Sequence, residues 1–519
     1  MIDQPVSSTV ATPLSPISYE QNVIVAAKGG SITFVGKLFV YGARFVIALV
    51  LARLLAAGQY GLYNLSLTAV ELFTYLAQLG MATALVRYVS HFASQRDEAG
   101  LWGTLQIGFG LGAILSMFFA LALFVLADTI AVRLFNEPRL APLLQMVSLV
   151  VPAFTLSDLA AAATRGFKTM KYTVIAQNFT QPLVRLTLIL ILAVFVGLNA
   201  RWALVASIIT ELIVAGLLLR FLNKLFPLRR PLQAGRREFR RLLRFALPVY
   251  GANLINRFGG NIRMLLLGIF GAVSSVGVYA LASQINLLGD MFQSSLGNVA
   301  QPIISELYSR GDRRGLGRFY QLMTKWSLML NLPLFLILVL FPGSLLALFG
   351  DSFVAGSVAL GILAWTGMVD VITGLCGVML DMTDNTHLKL INTSITLVLS
   401  VGLSLGLIPT LGVYGAALSA LAAQIIVNVL RMAEVFFLFR VLPYSRGLLK
   451  PLAIAGVSVA VVLFVAQWLP PAAGASYFGI NVAILLAVYI GLTLLVGLSP
   501  EDRAVAARLR RRLSARRER

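Results

Sequence analysis

The segment ALPVYGANLINRFGGNIRMLLLG, residues 246 to 268, has the length of a membrane span and five strongly polar side chains. They are Asn253, Asn256, Arg257, Asn261 and Arg263. A helix needs about 20 apolar residues to cross a bilayer, and an arginine near the bilayer centre costs roughly 2.5 to 3.5 kcal/mol. With about 100° of rotation per residue, the polar side chains share one broad face and the apolar ones lie opposite. We therefore predict that this helix turns its polar face towards an interior, wet space.

The composition indicates an all-α integral membrane protein. Of 519 residues, 58% are hydrophobic and 12% are charged, whereas soluble domains carry about 25% charged residues. The net charge of +21 comes from short basic segments between apolar ones, as in loops that face anionic lipid. We expect the lipid bilayer as a partner, and no nucleic acid. The single cysteine, Cys376, and two distant histidines, His91 and His387, predict neither an intrachain disulfide nor a metal site.

Apolar windows of the required length predict about 14 transmembrane helices. They lie near residues 32–55, 63–88, 102–127, 142–163, 173–197, 201–222, 245–269, 275–303, 321–347, 354–381, 388–409, 412–439, 450–469 and 478–498. Alternate connections are basic: residues 220–244 hold nine Lys or Arg against one Glu, whereas 271–275 and 409–413 carry no charge. Because basic loops stay cytoplasmic, we predict a multi-pass protein of a bacterial or archaeal cell (inner) membrane with both termini cytoplasmic.

The two halves of the chain are alike. Gly61 and Tyr63 correspond to Gly277 and Tyr279, and an internal repeat of this kind is typical of transporters. We therefore predict two pseudo-symmetric six-helix lobes followed by two further helices. The predicted divisions are a flexible cytoplasmic tail (1–30), an N-lobe (31–222), a basic cytoplasmic linker (223–244), a C-lobe (245–440), helices 13 and 14 (441–498) and a basic cytoplasmic amphipathic tail (499–519).

Other spans also carry polar faces. Lys37 and Arg44 share a face of span 1, and Gln181 and Arg185 share a face of span 5. Arginine binds phosphate oxygens through two parallel donors, and Asn or Gln amides suit sugar hydroxyls. A cavity with more arginines than carboxylates therefore predicts a ligand that contains phosphate and sugar. For any one of these residues, a buried pair that only fixes helix packing is the alternative.

Three stretches resemble the Wzx-type polysaccharide and oligosaccharide flippases of the multidrug/oligosaccharidyl-lipid/polysaccharide exporter superfamily. They are ARLLAAGQYGLYNLSLTAVELFTYLAQLGMATALVR (52–87), RGFKTMKYTVIAQNFTQPLVRLTLILIL (165–192) and LGVYGAALSALAAQIIVNVLR (411–431). The resemblance implies a V-shaped pair of lobes around a central cationic cavity. It also implies that the protein moves an undecaprenyl-pyrophosphate-linked glycan across the membrane by alternating access, for cell-surface polysaccharides such as O-antigen, and that it is not an enzyme.

On this hypothesis, arginines hold the pyrophosphate and the proximal sugar, and amides contact sugar hydroxyls. The predicted substrate-binding residues are Lys37, Arg44, Arg185, Arg257, Arg263, Asn253, Asn256, Asn261 and Gln181. Glu71 and Asp290 are the candidates for coupling to a proton or sodium gradient. We expect no cofactor, since the chain has no phosphate-cradling G-x-x-x-x-G-K-[ST] motif. A polysaccharide polymerase or glycosyltransferases are the expected protein partners.

Three other functions stay open at this point. A lipid II flippase would share fourteen helices and a cationic cavity with the predicted protein. A multidrug cation antiporter of the same superfamily would favour carboxylates and aromatic residues in its cavity. A membrane glycan polymerase would need sizeable outer loops, and the longest candidate here, residues 128–141, is short.

Overall fold

The computed structural model describes residues 16–227, 239–383, 385–467 and 475–496, and these ranges are almost entirely helical. The predicted amphipathic tail at 499–519 and the central part of the basic linker lie outside them. The first half contains α1 (Pro16–Gln78), α2 (Met81–Gln95), α3 (Glu98–Thr129), α4 (Leu140–Ser148), α5 (Val151–Gly166), α6 (Lys171–Thr173), α7 (Gln181–Phe195) and α8 (Ala200–Leu225). The second contains α9 (Phe239–Phe270), α10 (Val273–Ser309), α11 (Arg313–Leu340), α12 (Pro342–Ala347), α13 (Ser357–Ile372), α14 (Cys376–Asp381), α15 (Thr386–Leu411), α16 (Val413–Phe439), α17 (Leu449–Ala466) and α18 (Ala475–Val496). Two π-helical segments (Ile130–Leu134, Val174–Thr180) and two 3-10 segments (Asp351–Gly356, Arg446–Leu448) complete the described chain.

In the described ranges, ten helices are long and apolar enough to cross a membrane. Counting α4 and α5 as one span bent by 46° gives eleven. Predicted span 1 and the first part of predicted span 2 lie in α1, which is broken at Ala56 (φ 55°, ψ 173°), and span 2 continues into α2. The protein is thus a multi-pass helical membrane protein, while the total of fourteen spans and the two-lobe layout stay predictions.

Helix α1 begins at Pro16, within the segment 1–30 that the sequence predicts to be a flexible tail. Proline suits the first turn of a helix, since its fixed φ is already helical and its missing N–H has no partner there. No further proline follows until the break at Ala56. The Ser, Thr and Pro content of the first residues therefore does not extend to the segment that follows.

Two glycines allow α1 and α10 to cross at close range. A Cβ atom on Gly61 would lie 2.0 Å from the carbonyl oxygen of Val273, and one on Gly277 would lie 2.0 Å from that of Ala57. Only residues without a side chain permit backbones to approach so closely. The large apolar core lies around this crossing and includes residues of both halves. Leu51 is one of its residues from the first half. The repeat therefore marks a reciprocal contact between the halves.

Aromatic contacts close the end of the molecule at which α1 and α10 cross. The rings of Phe45 and Phe349 lie 5.4 Å apart, and those of Tyr60 and Phe353 lie 5.7 Å apart, both edge to face. The backbone N–H at position 57 donates to the Ser352 hydroxyl at 3.1 Å. The uncharged connection 271–275 lies here, so this is the end predicted to face away from the cytoplasm.

Candidate functional site

A polar cavity of about 410 Å³ lies among helices of the first half and α9. We call it the N-terminal cavity. Its charged lining residues come from α1, α5, α7, α8 and α9, and are Arg44, Glu71, Asp158, Arg185, Glu211 and Arg257. Three predicted arginines and one predicted carboxylate are therefore brought together from positions up to 213 residues apart (257 − 44). Such convergence inside a membrane protein is typical of a ligand pathway.

The π-helical segment Val174–Thr180 places further polar groups in this cavity. Gln177 and Asn178 belong to the π-helical segment, and Gln181 and Arg185 follow on α7. All four side chains line the cavity. A π-helical turn is wider than an α-helical one and shifts the side chains that follow. Because Pro182 lies in the first turn of α7, the regular helix begins directly after this shift. The local backbone thus aligns amide and guanidinium groups along one wall.

Amide side chains engage two of the cavity carboxylates. Gln78 Nε2 donates to Asp158 Oδ2 at 2.7 Å, and Gln181 Nε2 donates to Glu211 Oε2 at 3.0 Å. Among the described residues the lining holds three arginines and three carboxylates, so these residues do not show the predicted surplus of arginine. The physical reason is that Asp158, which sequence reasoning missed, and Glu211 reach the cavity from α5 and α8, each of which holds a single carboxylate.

Two of the cavity arginines nevertheless show features that suit an anionic ligand. The Arg257 guanidinium lies over the Tyr75 ring at 5.7 Å from its centre, a cation–π contact that occupies the face and not the N–H edge. Arg185 Nε is buried and has no hydrogen-bond partner among the described residues. A buried donor without a partner costs about 1 to 3 kcal/mol, and an anion in the cavity would remove that cost.

Arg263 does not join this site. Its Nη2 donates to Ser400 Oγ on α15 at 2.9 Å, so it links two helices of the second half. Arg257 and Arg263 are six residues apart, which separates their directions by about 120° at 3.6 residues per turn. The polar face of α9 is broad enough for its two edges to meet different neighbours.

The two predicted amides of α9 whose side chains are described are not found in the cavity lining either. Asn253 is exposed and Asn261 is partly buried, and neither is among the lining residues of the N-terminal cavity. The side chains of Lys37 and Asn256 lie outside the described residues. Of the predicted sugar-binding amides, Gln181 alone among the described side chains lines this cavity.

A second polar cavity, of about 700 Å³, lies in the other half of the chain. We call it the C-terminal cavity; Asp290 of α10 and Asp370 of α13 line it. Asp370 Oδ1 accepts hydrogen bonds from Gln424 Nε2 and Asn428 Nδ2, each at 3.1 Å. The two predicted coupling carboxylates therefore lie in different cavities, Glu71 in the first and Asp290 in the second.

Asp370 is visible in the sequence as a lone carboxylate in the apolar stretch of span 10. Its amide partners lie 54 and 58 residues further along the chain. No local pattern connects positions that far apart, so the sequence could supply the carboxylate but not its surroundings.

Comparison with known proteins gives two family matches. The family described as polysaccharide biosynthesis protein matches residues 26–308, which is more than half of the chain. A second family, MatE, matches residues 248–405. Together the two matches run through both cavities.

Two curated relatives are similar over much of the chain. The succinoglycan biosynthesis transport protein ExoT of Rhizobium meliloti (strain 1021) is 23% identical over 62% of this chain and 62% of its own length. The stage V sporulation protein B of Bacillus subtilis (strain 168) is 22% identical over 77% of this chain and 81% of its own length. The match with the first relative thus spans less than two thirds of that protein.

One solved structure has a closely similar fold. The lipid II flippase MurJ in an inward closed conformation matches with a TM-score of 0.69 at 15% identity, over 89% of this chain and 98% of that chain. At this identity the likeness concerns the fold and not the ligand.

Proposed function

Since the chain belongs to the polysaccharide biosynthesis protein family, we propose that it flips undecaprenyl-pyrophosphate-linked oligosaccharide or polysaccharide repeat units across the cytoplasmic membrane. It is a transmembrane transporter of the multidrug/oligosaccharidyl-lipid/polysaccharide exporter superfamily, a flippase of polysaccharide biosynthesis and not an enzyme. The pyrophosphate link and the identity of the membrane are the parts that we propose. Cytoplasmic termini and partner polymerases or glycosyltransferases belong to the same proposal.

One observation carries the choice of ligand. Arg44, Arg185 and Arg257 come from three helices into one cavity, while two of the carboxylates beside them are bonded to amides. Guanidinium donors that are not engaged by carboxylates suit phosphate oxygens, which accept two parallel hydrogen bonds from one arginine. An organic cation would offer these guanidinium groups no hydrogen-bond acceptor and would add to their positive charge.

The cavity also contains groups suited to the sugar next to the phosphate. Gln177, Asn178 and Gln181 present amides beside Arg185, and amides supply both donors and acceptors to hydroxyl groups. The lipid tail stays in the bilayer, because moving it into a polar cavity would expose apolar surface at about 25 cal/mol per Å². Only the head group therefore needs to pass through the protein.

We propose that an ion gradient drives the cycle, with Glu71 and Asp290 as the candidate coupling residues. Each lies in its own cavity, and each is a carboxylate within a helix that the sequence predicts to cross the membrane. A carboxylate there is costly and marks an ion or proton path by default. Asp370 and Asp381 are further carboxylates that line the C-terminal cavity.

Substrate binding by purified protein tests the role of the arginines. We expect Arg185→Gln and Arg257→Gln each to weaken binding of a pyrophosphate-linked glycolipid about 10-fold to 100-fold, since a charge-assisted hydrogen bond contributes about 1.5 to 3 kcal/mol. Arg201→Gln is the matched control, because Arg201 is exposed at the start of α8 and outside the cavity lining. Unchanged binding by both cavity variants would refute the role.

A lipid II flippase remains the alternative that this fold admits. Both ligands carry a polyprenyl pyrophosphate, so the arginines alone do not separate them. Complementation of a strain depleted of its lipid II flippase does: growth would support lipid II as a substrate, and failure to grow with normal membrane insertion would support another glycan.

A further inference from the structure

A surface pocket of about 300 Å³ lies apart from both cavities and is lined mainly by basic groups. We call it the basic-face pocket. Arg87 and His91 of α2, Lys168 after α5 and Arg241 of α9 line it, together with the hydroxyl groups of Ser90 and Ser94. None of these residues lines the N-terminal or the C-terminal cavity. The pocket is near the lower end of the usual size range of ligand sites, about 300 to 1,000 Å³.

Neighbouring rings hold the two arginines in place. The Arg87 guanidinium lies 4.3 Å from the centre of the Phe245 ring, and that of Arg241 lies 5.6 Å from the centre of the Tyr88 ring. Stacking of this kind uses the face of a guanidinium and directs its N–H groups sideways. Since Tyr88 belongs to α2 and Phe245 to α9, the same contacts join these two helices.

Close packing brings the two helices together at this point. Gly80, with φ 76°, precedes α2, and a Cβ atom there would lie 2.6 Å from the carbonyl oxygen of Ala246 on α9. The backbone of Lys168 is also left-handed, with φ 58°. This conformation is uncommon for residues other than glycine, and it turns the chain at the edge of the pocket.

The charged residues in the described lining of the basic-face pocket are all basic. Within the described part of the chain it includes two arginines, a lysine and a histidine, and no Asp or Glu. The N-terminal cavity, by contrast, balances three arginines with three carboxylates. Like charges held close together repel, and an anion between them removes the repulsion. Paired arginine donors with serine hydroxyls nearby match the oxygens of a phosphate group.

We propose that the basic-face pocket binds a phosphate group, which bridges α2 and α9. Two sources supply this chemistry at a membrane surface: the head group of an anionic phospholipid and a phosphate dissolved in water. By accepting hydrogen bonds from residues that line the pocket, the bound group stabilises the contact at this point.

Two ligand arms test the site in the full-length protein. In the first, the unfolding temperature is measured in neutral detergent against inorganic phosphate, with sodium chloride at equal ionic strength as reference. In the second, the protein is placed in nanodiscs of phosphatidylcholine with increasing phosphatidylglycerol. We expect saturable stabilisation in at least one arm, and an apparent affinity about tenfold weaker in Arg87→Gln and in Lys168→Gln, because each removes charge-assisted hydrogen bonds.

Matched controls come from the same face of the protein. Arg96→Gln and Lys171→Gln remove exposed cations near the same helix ends that do not line the pocket, and both should bind as the unmodified protein does. Lys168 lies in an exposed turn, so its variant keeps the test decisive if Arg87→Gln does not fold. A response in the phosphate arm identifies a soluble phosphate, and a response in the lipid arm alone identifies a head group. No saturable response in either arm, or an equal loss in the control variants, would overturn the proposal.

Discussion

At the residue scale, Arg257 and Arg263 show how two similar side chains on one helix acquire different roles. Arg257 lies in the N-terminal cavity over Tyr75, whereas Arg263 donates to Ser400 on another helix. The first is available to a ligand and the second is engaged by the protein. Their difference follows from their direction around α9 and not from their chemistry.

We expect Arg257→Gln to abolish most transport and Arg263→Gln to leave transport within about twofold. The second variant should instead lower the free energy of unfolding by about 1 to 3 kcal/mol, because the buried Ser400 hydroxyl loses a charged donor. Transport normalised to the amount of protein in the membrane, together with thermal unfolding, separates the two effects. Equal loss of transport in both variants would contradict these roles.

The candidate coupling residues give a second prediction at this scale. Neutralising a coupling carboxylate removes the charge that an ion or proton would compensate, so Glu71→Gln or Asp290→Asn should transport at a rate independent of the gradient. The measurement is initial transport rate with and without an imposed proton or sodium gradient. If Glu71→Gln keeps the full gradient dependence, Glu71 is not the coupling site, and the same holds for Asp290.

The sequence predicts the arginines of the site better than its carboxylates. Arg44 and Arg185 recur with other polar residues at helical spacing, and that periodicity indicates which face is interior. Asp158 is the single charged residue in the run LSDLAAA. Its partner Gln78 lies 80 residues away, a contact set by the packing of α5 against α1 and invisible to any local pattern.

At the element scale, the crossing of α1 and α10 depends on two glycines that correspond in the repeat. Gly61 contacts the backbone of Val273, and Gly277 contacts that of Ala57. The repeat is visible in the sequence, but the contact is not, because it requires the break at Ala56 to turn the chain. The observed helix ends also differ from the predicted ones. Hydropathy gives the length of an apolar segment, but it does not give the backbone angles at which the helix begins and ends.

We expect Gly277→Ala to hold this end of the molecule open. The added Cβ would lie 2.0 Å from a carbonyl oxygen, so the helices must separate, at a cost of about 1 to 3 kcal/mol for overpacking. A cysteine at Ser352 should then react several-fold faster with a membrane-impermeant thiol reagent. The native Cys376 is buried, which keeps the background low.

Gly58→Ala is the matched control for this prediction. It lies in the same segment, but a Cβ atom there would have no heavy atom within 4 Å. The control should leave the reactivity of the cysteine unchanged. Equal reactivity in the Gly277 and Gly58 variants would show that the glycine crossing does not close this end.

At the scale of the whole molecule, one end of the described structure is closed by α1, α10 and the Asp351–Gly356 segment. Arg53 Nε donates to the carbonyl oxygen of Leu348 near this closure. If transport proceeds by alternating access, the closure must open in every cycle. Single-sequence reasoning predicts the membrane class and the repeat, but not which end is closed, because that depends on contacts between distant helices.

Cross-linking this closure tests whether it opens during transport. We expect the double variant Arg53→Cys with Leu348→Cys to lose more than about tenfold of its transport when joined by a short reducible cross-linker. Activity should return when the cross-link is reduced, and either single variant treated in the same way should keep its activity. Full transport by the cross-linked protein would exclude a cycle that opens this end.

The most direct test of the central claim is a leaflet-resolved assay in vesicles that contain the purified protein and a labelled undecaprenyl-pyrophosphate-linked oligosaccharide. We predict that label moves from one leaflet to the other at a rate that depends on the protein and falls at least about tenfold in Arg257→Gln. Label that stays in its original leaflet with correctly inserted, substrate-binding protein would contradict the account.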